Sequence, residues 1–179
     1  MEPHPPLEPV VQRHAFADFR WLHPEDLIVA EWVRMKCRFG CPHYGKLAAC
    51  PPHAPSFEEC QRFFLDYAEL AVLHFRTAVE KPEDRHAWTR SINGRLLQLE
   101  RSVFLDGHPK AFVLFVDPCN LCEGCAGTPE TCKNPAGARP SPEGLCVDVF
   151  STVRKCSLPI EVLKDTTQVM NRYGMLLLE

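Results

Sequence analysis

No stretch of the 179 residues approaches the roughly 20 consecutive apolar positions of a membrane-spanning helix, so no membrane partner is expected. The start, MEPHPPLEPVVQ, lacks the basic and apolar segments of a secretion signal, and a cytoplasmic location is expected. Charge of neither sign is gathered into a block. Lys plus Arg is 20 and Asp plus Glu is 23, a net charge of -3, so no long basic run is present to neutralise a row of phosphates and nucleic acid is not an expected partner. There is no G-x-G-x-x-G, no P-loop and no G-x-S-x-G, which leaves dinucleotide, nucleotide and serine-hydrolase chemistry without support. At 45% apolar and 24% charged, the composition excludes intrinsic disorder and fibrous repeats.

What the chain does have is 10 Cys and 17 Pro. In a reducing compartment ten thiols do not pair off as disulfides, and their spacing decides between inert core thiols and metal ligands.

Hydrophobic periodicity and turn residues give the expected elements. Residues 1–23, rich in Pro and His, read as a loosely ordered arm, and residues 24–179 as a single α/β domain that binds metal. LIVAEWVRMK (27–36) fits a strand or a helix equally. Ser56 and Glu59 form a capping-box pattern ahead of Phe57, Cys60, Phe63, Phe64 and Tyr67 at helical spacing, predicting a helix over 57–67. LAVLHFR (70–76) and AFVLFVD (111–117) read as central strands. Between them Trp88, Ile92, Leu96, Leu99 and Val103 mark a long helix ended by Gly107 and Pro109, giving one β-α-β unit. LCVDVF (145–150) reads as a further strand. Ile160, Leu163, Thr167, Met170 and Tyr173 read as a helix, followed by a terminal strand MLLLE. The fold class is therefore α/β, with α+β as the alternative: a mixed sheet of four or five strands, three covering helices and two Cys-rich loops.

The chemistry lies in those loops. Cys119-x2-Cys122-x2-Cys125-x6-Cys132 begins directly after a strand, and three thiols spaced by two residues can all turn inward around one centre, with a distant fourth closing the set. Zinc more often uses two separate C-x2-C knuckles. An iron-sulfur cluster is the first reading of this loop and zinc the second. Cys37-x3-Cys41-x8-Cys50, with Pro42 and Pro51 behind two of its thiols, supplies three ligands of a second site. Candidates for its fourth ligand are Cys60, Cys146, Cys156, His43, His53 or a molecule from outside the chain. Cys60 and Cys146 read equally as buried core thiols. Phe39 and Tyr44 are candidates to shield a cluster from water, and Arg139 either to approach an anionic cluster or to stabilise a turn.

CRFGCPHYGKLAACPPHAP and CNLCEGCAGTPETCKNPAGARPSPEG, in that order, resemble the DUF2284 family of predicted metal-binding proteins over about residues 25–179. The resemblance implies metal binding by Cys37, Cys41, Cys50, Cys119, Cys122, Cys125 and Cys132; Cys60, Cys146 and Cys156 fall outside its motif. The reading is an iron-sulfur protein with one 4Fe-4S cluster on the second loop and a second on the first. It passes electrons to or from a redox partner protein, by outer-sphere transfer. A zinc-stapled binding module and an enzyme with an open iron on the first loop are the alternatives, and no catalytic residue is assigned.

Overall fold

The computed structural model describes residues 8–14, 16, 18–165 and 168–179. Among them are five α-helices, α1 (Glu8–Arg13), α2 (Glu31–Gly40), α3 (Phe57–Leu65), α4 (Asp84–Leu105) and α5 (Val149–Lys155). Four strands, β1 (Phe19–Leu22), β2 (Glu69–Thr77), β3 (Phe112–Leu114) and β4 (Met170–Leu178), form one sheet in the order β1-β2-β4-β3. Every pairing is antiparallel. The sheet is thus antiparallel rather than mixed. β2, α4 and β3 do make the expected β-α-β unit, since both strands run antiparallel to β4, but β4 is inserted between them. β3 is consequently a short edge strand, not a central one.

Alternation along the strands puts a core on each face. Ala71, Leu73 and Phe75 of β2 and Leu176 and Leu178 of β4 meet Ile92, Leu96, Leu99 and Val103 of α4 and Val11 of α1. On the other face Leu70, Val72, Tyr173, Met175 and Leu177 meet Cys60 and Phe64 of α3 and Val149 and Val153 of α5. A Cβ at Gly174 would lie 3.0 Å from the Leu114 carbonyl oxygen and 3.1 Å from Leu96 Cδ1, so glycine is what lets α4 seat directly on β4.

The capping box at α3 forms as expected: Ser56 Oγ accepts from the Glu59 amide (3.2 Å) and Glu59 Oε2 from the Ser56 amide (2.7 Å). Ser56→Ala is expected to lower stability by about 1 kcal/mol, measured by urea unfolding.

Four expectations need correction. Residues 8–22 of the expected arm instead contain α1 and β1, with Val11 and Phe16 buried in the α4-side core; Pro3, His4, Pro5 and Pro6 lie outside the described residues. Of segment 27–36, residues 31–36 form the start of α2, which runs on through Cys37 to Gly40, into the stretch expected to be loop, while Val29 makes an isolated bridge. LCVDVF is a short helical turn, an isolated bridge from Val147 to Val29 and the start of α5, because Asp148 caps the Ser151 amide at 3.0 Å. Residues 160–165 are not helical, and Met170 and Tyr173 belong to β4, whose nine-residue pairing with β2 overrides the helical period; Thr167 lies outside the described residues. Among the described residues no helix is long and apolar enough to cross a membrane.

Candidate metal centres

The second Cys loop is hung from α4. The residues leaving β3 stay within the core, with Phe115 fully buried and Val116 nearly so, and Cys119 and Leu121 pack on its margin. At the loop's entrance the Arg85 guanidinium grips Asp117 through two hydrogen bonds, of 3.0 and 2.8 Å. Asn93 of α4, fully buried, accepts from the Val116 amide at 3.1 Å and donates to Asn120 Oδ1 at 3.1 Å. Asn120 in turn donates to Thr89 Oγ1 at 2.8 Å, and Arg90 donates to the Asn120 carbonyl at 2.8 Å. At the loop's exit Arg139 makes a two-point ion pair with Glu100 of α4, at 3.0 and 2.5 Å, and lies over the Phe112 ring. Arg139 also donates to the Ala136 and Ala138 carbonyls, so its role is to hold the turn.

Held at both ends, the loop brings its four thiols to one place. Cys119, Cys122, Cys125 and Cys132 line a single small cavity, walled also by Leu121, Ala126 and Ala138 and by Ala48 and Ala49 of the first loop. The Ala48 amide donates to Cys125 Sγ at 3.4 Å. Burial pushes the Cys119 thiol up from its ordinary value, while the backbone N–H groups of Leu121 and Arg139, which hydrogen-bond to it, act in the opposite direction. Amide donors aimed at sulfur favour thiolates and tune whatever metal those thiolates hold.

In the first loop Cys37 occupies the last turn of α2, and the Cys41 amide caps that helix on the Cys37 carbonyl at 3.3 Å. Cys50 is buried and its amide bonds the Leu47 carbonyl at 3.1 Å, ahead of the cis bond between Pro51 and Pro52. Burial pushes the Cys50 thiol up to about 12, reinforced by Cys41 and Cys37 and then by Cys119 and Cys125 of the other loop. The early thiols thus feel one another's charge, and the two loops meet where Ala48 reaches Cys125. Among the described residues no group of three or more His, Cys, Asp or Glu side chains is drawn together tightly enough to hold a single metal ion as it stands. The late thiols line the wall of a cavity instead of touching at a point.

A family model described as a predicted metal-binding protein matches residues 20–178. The chain belongs to the DUF2284 family. No curated protein and no solved structure matches it. The DUF2284 match spans both Cys loops and, at its N-terminal end, all but the first residue of β1.

Not every singled-out residue of this DUF2284 chain sits at the centres. Phe39 is 79% exposed and shields nothing. Cys156 closes α5 among Arg20, Asp26 and Lys155. His43 and His53 are exposed. Cys60 and Cys146 both face the Arg34 guanidinium. The anchors on α4, namely Arg85, Thr89, Asn93 and Glu100, escape sequence reading by metal-ligand spacing, although Thr89, Asn93 and Glu100 betray themselves as polar residues on and beside the apolar stripe of Ile92 and Leu96. A cleft of about 1210 Å³ lies elsewhere, between Arg20, His74, Arg76, Trp88 and Arg154, and no cysteine lines it.

A raised thiol must lose its proton to bind metal. Metal uptake by the apoprotein is therefore expected to release protons, still from Cys50 at pH 9 because its thiol stays protonated there, and to weaken as pH falls; calorimetry in buffers of different ionisation heat measures this directly.

Proposed function

We propose that the chain is an iron-sulfur protein that passes electrons to or from a partner enzyme. The observation that carries this reading is the cavity lined by Cys119, Cys122, Cys125 and Cys132, with an amide of the other Cys loop donating to one of its sulfurs. These residues suit a 4Fe-4S cluster. The Cys-x2-Cys-x2-Cys run wraps the backbone around one centre, Cys132 supplies the fourth thiolate, and the amides of Ala48, Leu121 and Arg139 are placed to stabilise negative sulfur. Such a cluster supplies one-electron chemistry when bound.

The chain's own part is placement and tuning. α4 fixes both ends of the loop, Leu121, Ala126 and Ala138 give the cavity an apolar wall, and Cys125 is exposed, offering one edge of the site to a partner. Cys37, Cys41 and Cys50 are proposed to hold a second cluster. The proximity of Cys50 to Cys119 and Cys125 supports passage of an electron from one site to the other. Anaerobic purification with quantification of iron, acid-labile sulfide and zinc tests the reading. A brown protein with iron and sulfide in equal amounts is expected, and a colourless one with stoichiometric zinc would overturn it.

A further inference from the structure

Two of the three thiols outside the seven candidate ligands meet. Cys60 on α3 and Cys146, which follows the helical turn Glu143–Leu145, are both fully buried, and Cys60 Sγ donates to the Pro55 carbonyl at 3.6 Å. Arg34 of α2 lies against the pair, with Nε 3.4 Å and Nη2 3.2 Å from Cys146 Sγ and Nη2 3.8 Å from Cys60 Sγ. The same Nη2 donates to the Pro55 carbonyl at 2.8 Å and to the Gly144 carbonyl at 3.2 Å, which pins the guanidinium in place. A guanidinium has only donors, so the sulfur facing it must accept, and a thiolate accepts best. The neighbouring Cys60 thiol, then Arg34, hold the Cys146 thiol below its ordinary value against the opposing effect of burial, while the Cys146 neighbour and burial push Cys60 up. One sulfur is set as nucleophile and the other as proton carrier.

The backbone adds a second observation. Cys146 has φ of 65°, in the left-handed region that favours glycine, so a side chain is kept where the chain would more easily do without one.

We propose that Cys60 and Cys146, which are not among the seven candidate metal ligands, are a redox-modification site that closes to a reversible disulfide when a small hydroperoxide reaches it. The Cys146 thiolate attacks one peroxide oxygen, the O–O bond breaks, and hydroxide or alkoxide leaves, making Cys146 a sulfenic acid. Cys60 sulfur then attacks Cys146 sulfur, the S–O bond breaks, and the Cys60 proton departs with the hydroxyl as water. The two sulfurs together give up two electrons and the peroxide takes them. Arg34 is only half-buried and its bond to Pro55 is exposed, so the entry of a small oxidant is placed at this side chain. Oxidation also removes the thiolate that anchors Arg34, one helical turn before Cys37.

The test treats the metal-loaded full chain anaerobically with stoichiometric hydrogen peroxide, blocks free thiols after denaturation and maps peptides by mass spectrometry. A Cys60–Cys146 cross-link, lighter by two hydrogens and lost on treatment with dithiothreitol, is expected, formed roughly tenfold more slowly in Arg34→Met. Cys146→Gly, which suits the left-handed backbone, and Cys60→Ala should abolish it and leave bound metal unchanged. Both thiols remaining free while Cys125 is oxidised would overturn the proposal. So would cross-links from either thiol to a motif cysteine, or loss of metal in Cys146→Gly, which would make that residue a ligand. The wild-type cross-link alone decides if a variant does not fold.

Discussion

Replacing any one of Cys119, Cys122, Cys125 or Cys132 by serine is expected to empty the second site, with loss of about four irons and about four sulfides per chain, while the first site keeps its content. The expectation follows from the shared cavity. Four thiols line it, and in the proposed cluster each would supply one corner, so a hydroxyl at any corner would leave an iron without a thiolate. Stability should fall as well. Residues 118–138 contribute only Cys119 and Leu121 to the margin of a core, so the free energy of metal binding is part of the free energy that orders this loop. Iron and sulfide analysis beside thermal unfolding checks both halves, and Cys156→Ser is the control expected to change neither. A graded loss shared by both sites would contradict the assignment of these four residues to one centre.

Glu100→Ala is expected to cost about 3–5 kcal/mol, because it leaves the Arg139 guanidinium without its carboxylate in a site where both side chains are largely buried, at 17% and 13% exposure. The loss is not confined to the pair. Glu100 Oε2 also accepts from the Val113 amide at 2.7 Å, so the carboxylate ties α4 to β3 and to the exit of the metal loop at once. Glu100→Gln retains an acceptor for the amide and should cost less. Denaturant unfolding of both variants, with metal content measured alongside, separates the two contributions: the expected result is a second site that loads more weakly in Glu100→Ala than in Glu100→Gln. Equal stability of both variants and wild type would show that α4 does not hold the loop.

The parts legible in the sequence were those governed by local chemistry. Ser56 and Glu59 announce the start of α3 because a capping box is made within four residues, and the α4 stripe follows from period alone. The grouping of the four late Cys around one cavity is legible for the same reason, as a run of three thiols two apart has no apolar period to explain it. What pairing decides was not legible. Met170 and Tyr173 satisfy a helical spacing, yet β2 and β3 offer β4 a partner on either side, and strand pairing wins. Val147 and Val149 look like strand residues until Asp148 supplies a helix cap between them. Arg139 had two readings that only the position of Glu100, 39 residues away in the chain, could separate. The adjacency of Cys50 to Cys119 and Cys125, and the convergence of Cys60 and Cys146 on Arg34, are likewise products of tertiary packing that no spacing encodes.

Anomalous diffraction at the iron edge from anaerobically grown crystals tests most directly the proposal that the seven thiols hold two iron sites. Two separate iron peaks are predicted, one inside the cavity of Cys119, Cys122, Cys125 and Cys132 and one against Cys37, Cys41 and Cys50. Anomalous signal at the zinc edge alone, or iron bound away from these sulfurs, would contradict it.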